Sequence, residues 1–401
     1  MAFLHFDDSI DIIKNIEIKD YKKSKRYLTD TMGFILAQDI IAEDNSPEAP
    51  TSAMDGYAIR YGDLKLGRLK ISGINPAGSE LQDEVIEGCC IKTFTGSLMP
   101  KGSDTLIPIE NVTVDRDYII IDEVVPFGFS VREVGENYSK GEKLIEEGTK
   151  INFAHIGVMA SLNIISPLVY EKPRVSILST GSELLELGEI QTNSSQIRSS
   201  NNYILEVIIK KYGGEPLQLG CIGDDKSSIL NSVKDAMSQS DIVVTTGGVS
   251  VGDFDFVKDV IVELGYEVLF KGVRVKPGQH IMMAKKDDKF IIALPGFAYS
   301  ATVTALLYLV PLIEKFQKGS CSLKKVEATL REPFNKRQKK AEFTACRVLL
   351  ENGNYFVDFD GKKSGSSAIL TNMLGSTALM VTSEDDKSKV AGDKVQILLL
   401  D

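Results

Sequence analysis

The sequence predicts a multidomain protein in which an α/β domain stands between two β-rich regions. Between residues 171 and 320, short apolar runs alternate with amphipathic helical stripes, the pattern of a mainly parallel sheet with helices on both faces. Residues 46–137 and 321–401 instead contain short β-rich runs separated by glycine and proline, as small β domains do. A chain of 401 residues is long enough for about two to four such domains.

Helical segments are predicted on both sides of the first β-rich region. Ile12, Ile13 and Ile16 have the spacing of a short amphipathic helix, and residues 36–41 are predicted to form a second one. Residues 138–170 are again predicted to be helical, with 153–162 as the core of that helix. Within 46–137, the runs 68–72 and 118–121 are predicted strands because turn residues bound them.

The α/β domain is predicted to open at Pro173. Asn201 or Asn202 is expected to cap its first helix. The run 290–313 contains no charged residue, but Pro295-Gly296 interrupts it, so we expect a buried strand, a turn and a buried helix rather than a membrane span. The predicted strands are 175–178, 216–222, 241–245, 267–270 and 290–294, and the predicted helices are 203–212, 230–237, 257–264 and 298–316.

The pattern returns to β structure after Gly319. Glycines separate the strand-like runs, which predicts a small barrel or sandwich. The charged run 336–340 is expected to be a solvated loop. The predicted strands are 326–330, 343–350, 355–359, 377–381 and 395–400.

Composition excludes several classes of function. The chain has 46 basic and 56 acidic residues, and its net charge of −10 argues against nonspecific binding to nucleic acid or to anionic membranes. Five cysteines without a C-x-x-C pair argue against a complete disulfide framework and favour a reducing cytoplasm. Three widely spaced histidines argue against a histidine-based zinc enzyme. The acidic start of the chain is unlike a secretory signal, so we expect a cytoplasmic protein.

The loops that follow the predicted parallel strands are the candidate binding site. Ligands of open parallel sheets bind beyond the carboxyl ends of the strands. These loops, which all contain glycine, are 180–183, 223–225, 247–253 and 295–296. The third has the composition of a phosphate-binding turn, because Gly247, Gly248 and Gly252 let backbone N–H groups approach an anion and Ser250 adds a hydroxyl. It is neither a P-loop nor a G-x-G-x-x-G motif, and a tight strand-to-helix turn remains the structural alternative.

Acidic residues accompany these glycines. Glu183, Asp224, Asp253 and Asp255 would be crowded at one edge of the sheet, where a cation would have to balance them. Mg²⁺ fits this requirement because it takes oxygen ligands, keeps waters and bridges phosphates. Basic residues that could hold the anionic part of a ligand are Arg198, Arg274 and Lys276. The residues alone therefore predict Mg²⁺-assisted phosphate chemistry on a nucleotide-like ligand.

Several stretches, in order along the chain, resemble the molybdopterin molybdenumtransferase family, which includes MoeA and the C-terminal domain of gephyrin. The two most specific are Ser52-Ala53-Met54-Asp55-Gly56-Tyr57-Ala58 and the run 247–259, GGVSVGDFDFVKD. The others are Phe94-Thr95-Gly96, Val131-Arg132 with Gly135-Glu136, Ser179-Thr180-Gly181-Ser182-Glu183-Leu184, Gln196-Ile197-Arg198 with Asn201, Gly223-Asp224-Asp225, Lys276-Pro277-Gly278 and Leu294-Pro295-Gly296. The resemblance covers essentially the whole chain and is weakest in the C-terminal β region.

This resemblance implies four subdomains. They are a discontinuous helical domain (1–45 and 138–170), an inserted β domain (46–137), a doubly wound α/β domain of the molybdopterin-binding type (171–320) and a C-terminal β-barrel (321–401). It also implies a homodimer with active sites at the subunit interface, and contacts with molybdoenzymes or pathway enzymes. The implied reaction inserts molybdenum from molybdate into adenylylated molybdopterin, with Mg²⁺ assistance and release of AMP.

The resemblance also assigns roles to individual residues. The implied catalytic residues are Asp55, Glu183, Asp224, Asp255 and Lys276, of which Asp55, Asp224 and Asp255 would bind metal. The implied substrate-binding residues are Thr95, Arg132, Thr180, Gly181, Arg198, Gly247, Gly248, Ser250, Gly252, Pro295 and Gly296. For Asp55 an Asx turn, and for Arg132 and Lys276 an ordinary surface charge, are the structural alternatives.

Six residues at four sites depart from the family pattern. Asn137 replaces an aspartate, Gln279-His280 replaces Lys-Pro, Phe297-Ala298 replaces Asn-Pro, and Ser182 stands where aspartate is common. Because an amide donates hydrogen bonds and a carboxylate does not, Asn137 is predicted to favour an oxyanion over a second cation. A non-catalytic molybdopterin-binding or scaffold protein and a tungsten-inserting enzyme are the alternative functions.

Overall fold

The computed structural model describes residues 3–79, 83–249, 256–319, 323–363 and 366–400. The chain divides into two compact units. The large unit contains Met1–Ala37, Gly148–Asn152 and Ser166–Asp401, and the small unit contains Gln38–Glu147 and Phe153–Ile165, so the chain crosses between them four times. The finer four-subdomain boundaries given above stay a prediction.

Helices and strands are distributed over both units. The helices are α1 (Phe6–Lys14), α2 (Phe153–Ser161), α3 (Asn201–Lys211), α4 (Lys226–Gln239), α5 (Val257–Glu263), α6 (Ala298–Thr304) and α7 (Val310–Phe316). The first strands are β1 (Lys23–Lys25), β2 (Ile40–Ile41), β3 (Thr51–Ser52), β4 (Gly56–Ile59), β5 (Arg68–Asn75), β6 (Cys89–Thr93), β7 (Thr105–Pro108), β8 (Val112–Asp115), β9 (Tyr118–Ile121), β10 (Val131–Arg132), β11 (Lys143–Ile145), β12 (Leu168–Tyr170) and β13 (Arg174–Thr180). The remaining strands are β14 (Leu184–Leu185), β15 (Ile197–Arg198), β16 (Glu215–Ile222), β17 (Ile242–Thr246), β18 (Glu267–Lys271), β19 (Val275–Lys276), β20 (Met282–Lys286), β21 (Lys289–Leu294), β22 (Lys325–Leu330), β23 (Ala341–Glu351), β24 (Asn354–Asp358), β25 (Thr377–Thr382) and β26 (Lys394–Leu399).

The central sheet of the large unit confirms the predicted α/β fold. Its described strands run in the order β16-β13-β17-β21-β20-β18, and the first four are mutually parallel. β20 and β18 continue the sheet in antiparallel fashion, and β20 was not predicted. Apolar side chains of β13 point alternately to the two faces: Ile177 packs with α3 and α7, whereas Leu178 packs with α4 and α5. The four carboxyl ends of the parallel strands therefore meet at one edge, called here the carboxyl edge.

The uncharged run 290–313 forms the buried strand, turn and helix that the sequence predicts. β21 is followed by α6, a π-helical turn at Ala305–Leu309, and α7. Tyr308 in this π-helical turn is fully buried, and its hydroxyl lies 2.8 Å from Ser9 Oγ of α1. Among the described residues, no helix is long and apolar enough to cross a membrane.

The C-terminal β region is a closed barrel, as predicted. Its described strands run β23-β24-β22-β26-β25, and β25 pairs again with β23 to close the ring. Val357, Met380 and Ile397 are among the buried residues of its interior. β19, which belongs to the loop region after β18, pairs in parallel with β23 and places Lys276 opposite Glu342.

The small unit is built mainly from β structure. Its described six-stranded sheet has the order β7-β4-β6-β5-β9-β8, around a core that includes Tyr57, Leu69 and Ile119. The helix predicted at 36–41 is wrong. Leu36 forms a β-bridge with Val169, and the residues of β2 pair with β11. This segment is extended because its partners are strands that are distant in sequence.

Candidate functional site

Three backbone segments pack tightly at the carboxyl edge, at the ends of β13, β17 and β21. The Gly247 N–H donates to Leu294 O at 3.2 Å, and Thr180 Oγ1 donates to Thr246 O at 3.4 Å. A Cβ atom on Gly247 would lie 2.5 Å from Thr180 O, and one on Gly248 would lie 2.6 Å from Val257 Cγ2. Both glycines also have positive φ, of 88° and 63°. Only glycine fits these two positions, which leaves backbone rather than side chains facing the edge.

Gly296 completes this edge through a contact with α3. Asn201 Nδ2 donates to Gly296 O at 2.8 Å, while Asn201 Oδ1 is buried without a hydrogen-bond partner among the described residues. The predicted capping role of Asn201 or Asn202 is wrong, because α3 starts at Asn201 and Ser200 occupies the cap position. The sequence did not predict the contact of Asn201 with the Pro295-Gly296 turn. The only signal for a role of Asn201 was its place in the motif at 196–201.

Two acidic predictions, Glu183 and Asp224, lie on adjacent loops of the carboxyl edge. Ser182 donates to Asp224 Oδ2 from its backbone N–H at 3.1 Å and from its hydroxyl at 3.3 Å. A Cβ atom on Gly181 would lie 2.8 Å from Glu183 Oε2, so the Glu183 carboxylate folds back over that glycine. The loop containing Thr180, Gly181 and Glu183 is thereby joined to the loop containing Asp224.

The neighbouring Asp225 has a structural role instead. Its carboxylate accepts a hydrogen bond from the Ser228 N–H at 2.8 Å and caps the N-terminus of α4. The hydrogen bonds from Ser228 lower the pKa of Asp225 from its ordinary value. Of the two acids in Gly223-Asp224-Asp225, Asp225 caps α4 and Asp224 accepts hydrogen bonds from the loop that contains Glu183.

Arg198 forms a hydrogen bond with a backbone carbonyl of a loop rather than with an acidic side chain. Its guanidinium donates to the Glu186 carbonyl at 2.8 Å, across the β14–β15 pair. The Glu186 carboxylate in turn accepts from Tyr203 OH at 3.1 Å. The exposed Arg198 side chain is thus positioned by the loop after Glu183, beside the carboxyl edge.

The predicted metal site is described only in part. Ser250, Gly252, Asp253 and Asp255 lie outside the described residues. Within the described ranges, no group of three or more His, Cys, Asp or Glu side chains is arranged to hold a metal ion.

The predicted residues of the small unit form three polar contacts. Asp55 Oδ1 accepts from the Thr95 N–H at 2.8 Å and from Thr95 Oγ1 at 2.7 Å. These two hydrogen bonds lower the pKa of Asp55, which keeps it ionised. Arg132 Nε lies 2.9 Å from Glu136 Oε1. Asn137 is exposed, and its amide donates to Ser46 Oγ at 3.4 Å.

Lys276 lines a cavity of about 390 Å³ between the α6 region and the barrel, which we call the Lys276 pocket. Its lining includes charged side chains and a buried tyrosine, among them Lys276, Tyr299, Arg337, Glu342, Lys362 and Lys363. Lys276 Nζ lies 3.3 Å from Glu342 Oε2. Tyr299 lies in the first turn of α6, three residues after Gly296, so α6 connects the carboxyl edge with this pocket.

Hydrogen bonds fix two walls of this pocket. Tyr299 OH donates to Phe343 O at 3.1 Å and accepts from the Ala345 N–H at 2.9 Å, which ties α6 to β23. Lys362 Nζ donates to Asn372 O at 2.8 Å and to Leu374 O at 2.9 Å. Neither side chain was predicted, because the barrel motifs are weak in sequence and these contacts join distant segments.

A basic residue from another part of the chain contacts Gln279, one of the departures from the family pattern. Gln279 stands where the family pattern has lysine, and its Oε1 accepts a hydrogen bond from Lys340 Nζ. The charged run 336–340, predicted to be a solvated loop, therefore places one lysine ammonium beside Gln279. Phe297 is 60% exposed and fills no core position.

Comparisons with known proteins agree with this architecture. Residues 4–163 match the MoeA N-terminal region (domain I and II), and residues 176–315 match a family described as a probable molybdopterin binding domain. A molybdopterin molybdenumtransferase of Haemophilus influenzae is 35% identical over 71% of this chain and 70% of its own length. That of Bacillus subtilis is 28% identical over 93% of this chain and 89% of its own length.

A solved structure extends the similarity to the whole fold. The crystal structure of the molybdopterin biosynthesis moeA protein from Pyrococcus horikoshii superposes with a TM-score of 0.83 at 27% identity, over 99% of this chain and 100% of that one. Sequence and structure thus agree over the α/β domain, the inserted β region and the barrel. The chain belongs to the molybdopterin molybdenumtransferase family.

Proposed function

We propose that this protein inserts molybdenum from molybdate into adenylylated molybdopterin, with Mg²⁺ assistance and release of AMP, as a step of molybdenum cofactor biosynthesis. The names of its relatives support molybdenum transfer to molybdopterin. The observation that carries the proposal is the carboxyl edge, where Gly247, Gly248 and Gly296 expose backbone, the first two in positions that only glycine can occupy.

This edge suits the phosphate-bearing part of the substrate. Glycines let an anion approach the backbone of this edge closely at Gly248 and Gly296, whereas the Gly247 N–H is already bonded to Leu294 O. Thr180, whose hydroxyl lies over Gly247 and Gly248, supplies a further polar group there. Asn201 Oδ1, buried beside Gly296 without a partner among the described residues, offers an acceptor for a hydrogen-bond donor of the ligand.

The Lys276 pocket suits the oxyanion. Molybdate is a tetrahedral dianion, and this pocket brings Lys276, Arg337, Lys362 and Lys363 to its lining, with Glu342 as a counter-charge. Burial lowers the pKa of Lys362, and three oxygen acceptors hold its ammonium in place. Lys362 therefore shapes the wall of the pocket. Lys276 is half-exposed and can contact a ligand.

The acidic residues fit an Mg²⁺ ion shared with substrate phosphate. Both Ser182 bonds use Asp224 Oδ2, which orients the carboxylate, and Mg²⁺ is usually bound by one or two carboxylates together with waters and phosphate oxygens. Bound there, Mg²⁺ would neutralise charge on the phosphates as AMP departs. Asp224 would hold it, with Asp255 as a further predicted ligand.

An AMP-release assay tests this function. The protein is incubated with adenylylated molybdopterin, Mg²⁺ and either molybdate or tungstate, and AMP is quantified. We expect AMP release that requires the oxyanion. Asp224→Asn is expected to lower its rate by more than about 10-fold, because even residues that only orient a metal ligand contribute about 10- to 100-fold. Asp235→Asn, which removes an exposed acid on α4, is the matched control and should leave the rate unchanged.

Other outcomes would replace the proposal. Binding of adenylylated molybdopterin without AMP release would indicate a non-catalytic binding or scaffold protein. AMP release with tungstate but not with molybdate would indicate a tungsten-inserting enzyme.

We also propose that the protein acts as a homodimer, as the family resemblance implies. Exposed apolar side chains on the loop between β14 and β15 support self-association, since Leu187 is 61% and Ile190 84% exposed. Light scattering at micromolar concentration tests this proposal, and a monomeric mass would contradict it.

A further inference from the structure

We infer that Glu342 sets the oxyanion preference of the Lys276 pocket by competing with the bound anion for Lys276. The inference rests on the proposed function, because it concerns how the same pocket discriminates among anions. It assigns to Glu342 a role in specificity that neither the sequence motifs nor the family matches contain.

Glu342 is a buried carboxylate placed against the pocket lysine. Its exposed fraction is 2%, and β19–β23 pairing sets it opposite Lys276. Glu342 Oε2 lies 3.3 Å from Lys276 Nζ, and Glu342 Oε1 is buried without a hydrogen-bond partner among the described residues. The pocket lining includes both side chains.

The geometry differs from that of a structural ion pair in the same barrel. Arg347 binds Asp358 through both carboxylate oxygens, at 2.9 Å from Nε to Oδ1 and 2.7 Å from NH2 to Oδ2. Glu342 uses one oxygen, at a longer distance, and leaves the other unsatisfied. Because a buried acceptor without a donor is costly, Glu342 is poised for a ligand rather than closed by its own protein.

The charges that face Glu342 come from several elements. Lys276 belongs to β19, and Lys336 in the loop before β23 also acts on Glu342 electrostatically. Arg337, Lys362 and Lys363 line the same pocket. Removing the Glu342 charge therefore leaves a cationic pocket, not an apolar one.

Two consequences follow for an entering anion. A fully deprotonated dianion such as molybdate or sulfate must draw Lys276 away from Glu342 and is repelled by the carboxylate. Hydrogen phosphate carries a proton that it can donate to Glu342 Oε1, which offsets the repulsion. Glu342 thus weakens molybdate and sulfate binding more than it weakens phosphate binding.

Binding of inorganic anions to the full-length protein tests the inference without the pterin. Isothermal titration calorimetry with molybdate, sulfate and phosphate, at constant ionic strength, is compared for the wild type and Glu342→Gln. We expect Glu342→Gln to bind molybdate and sulfate about tenfold more tightly, from the Coulomb repulsion removed, with a smaller gain for phosphate. Glu327→Gln is the matched control, because it removes an exposed glutamate of β22 that pairs with Lys394.

Several results would overturn the inference. Molybdate binding that is unchanged or weaker in Glu342→Gln contradicts competition for Lys276. An equal gain for all three anions contradicts the role of Glu342 Oε1. If Glu342→Gln does not fold, Glu342→Asp withdraws the carboxylate from Lys276 and should also tighten molybdate binding, and an unchanged affinity there is equally contradictory. The proposed function fails separately, when the wild type releases no AMP.

Discussion

Substituting Gly247 by alanine is the sharpest test of the carboxyl edge. The new Cβ would lie 2.5 Å from Thr180 O, a backbone atom inside a parallel sheet that cannot rotate away, and the residue would keep a φ of 88°. Left-handed backbone costs a non-glycine residue about 1–2 kcal/mol. The forced contact adds about 1–3 kcal/mol, as overpacking does elsewhere in protein interiors. We expect Gly247→Ala to lower the free energy of unfolding by roughly the sum, about 2–5 kcal/mol, and to abolish binding of adenylylated molybdopterin.

Gly375→Ala separates the backbone strain from the steric contact. Gly375 has a similar φ of 77°, but a Cβ atom there would meet nothing within 4 Å, so this variant carries the backbone strain without the contact. Urea unfolding followed by circular dichroism should show Gly247→Ala less stable than Gly375→Ala by about 1–3 kcal/mol. If the two variants unfold at the same urea concentration and Gly247→Ala still binds the substrate, the packing argument for the carboxyl edge is refuted.

Three further results are expected. Tyr299→Phe should destabilise the protein by about 2–4 kcal/mol, because two buried backbone groups lose their partner, and should speed exchange of the Ala345 amide hydrogen; unchanged exchange would contradict the bond. Carboxyl NMR titration should give Asp55 a pKa below the ordinary aspartate value. Ionised Asp55 therefore stabilises the folded protein at any pH above the ordinary aspartate pKa, and this stabilisation is lost as the pH falls through the lowered pKa of the folded state. Burial raises the pKa of Cys346 to about 12, so a thiol reagent should label the half-buried Cys89 before Cys346, and equal rates would contradict the burial.

The sequence predicted elements whose local pattern agrees with their place in the fold. The strands around Ile177 and Val243 read as short apolar runs because helices cover both faces of the sheet. β20 escaped prediction because its Met-Met-Ala-Lys-Lys sequence has no clear period, and antiparallel pairing with β18 and β21 defines it. The helix prediction for residues 36–41 was wrong for a related reason, because the extended form of this segment depends on partners such as Val169 that are distant in sequence.

The residues of the candidate site also fall into two groups, those that a local sequence pattern predicts and those that it does not. Glycine-rich turns after strands are local features, so Gly247 and Gly248 could be singled out from spacing and composition alone. The roles of Asn201, Tyr299 and Glu342 could not, because each arises from a contact with a segment about 40 to 100 residues away that no local pattern records.

The bond between α1 and the buried helix has a consequence for synthesis on the ribosome. Ser9 and Tyr308 are separated by 299 residues, and Ile13 shares a core cluster with Leu306. At about 5–20 residues per second, α1 emerges roughly 15–60 s before its packing partner is translated. The small unit, which ends at Ile165, is complete within that interval. A nascent chain stalled before residue 298 would therefore carry a finished small unit together with an unburied apolar helix, a form that chaperones can bind.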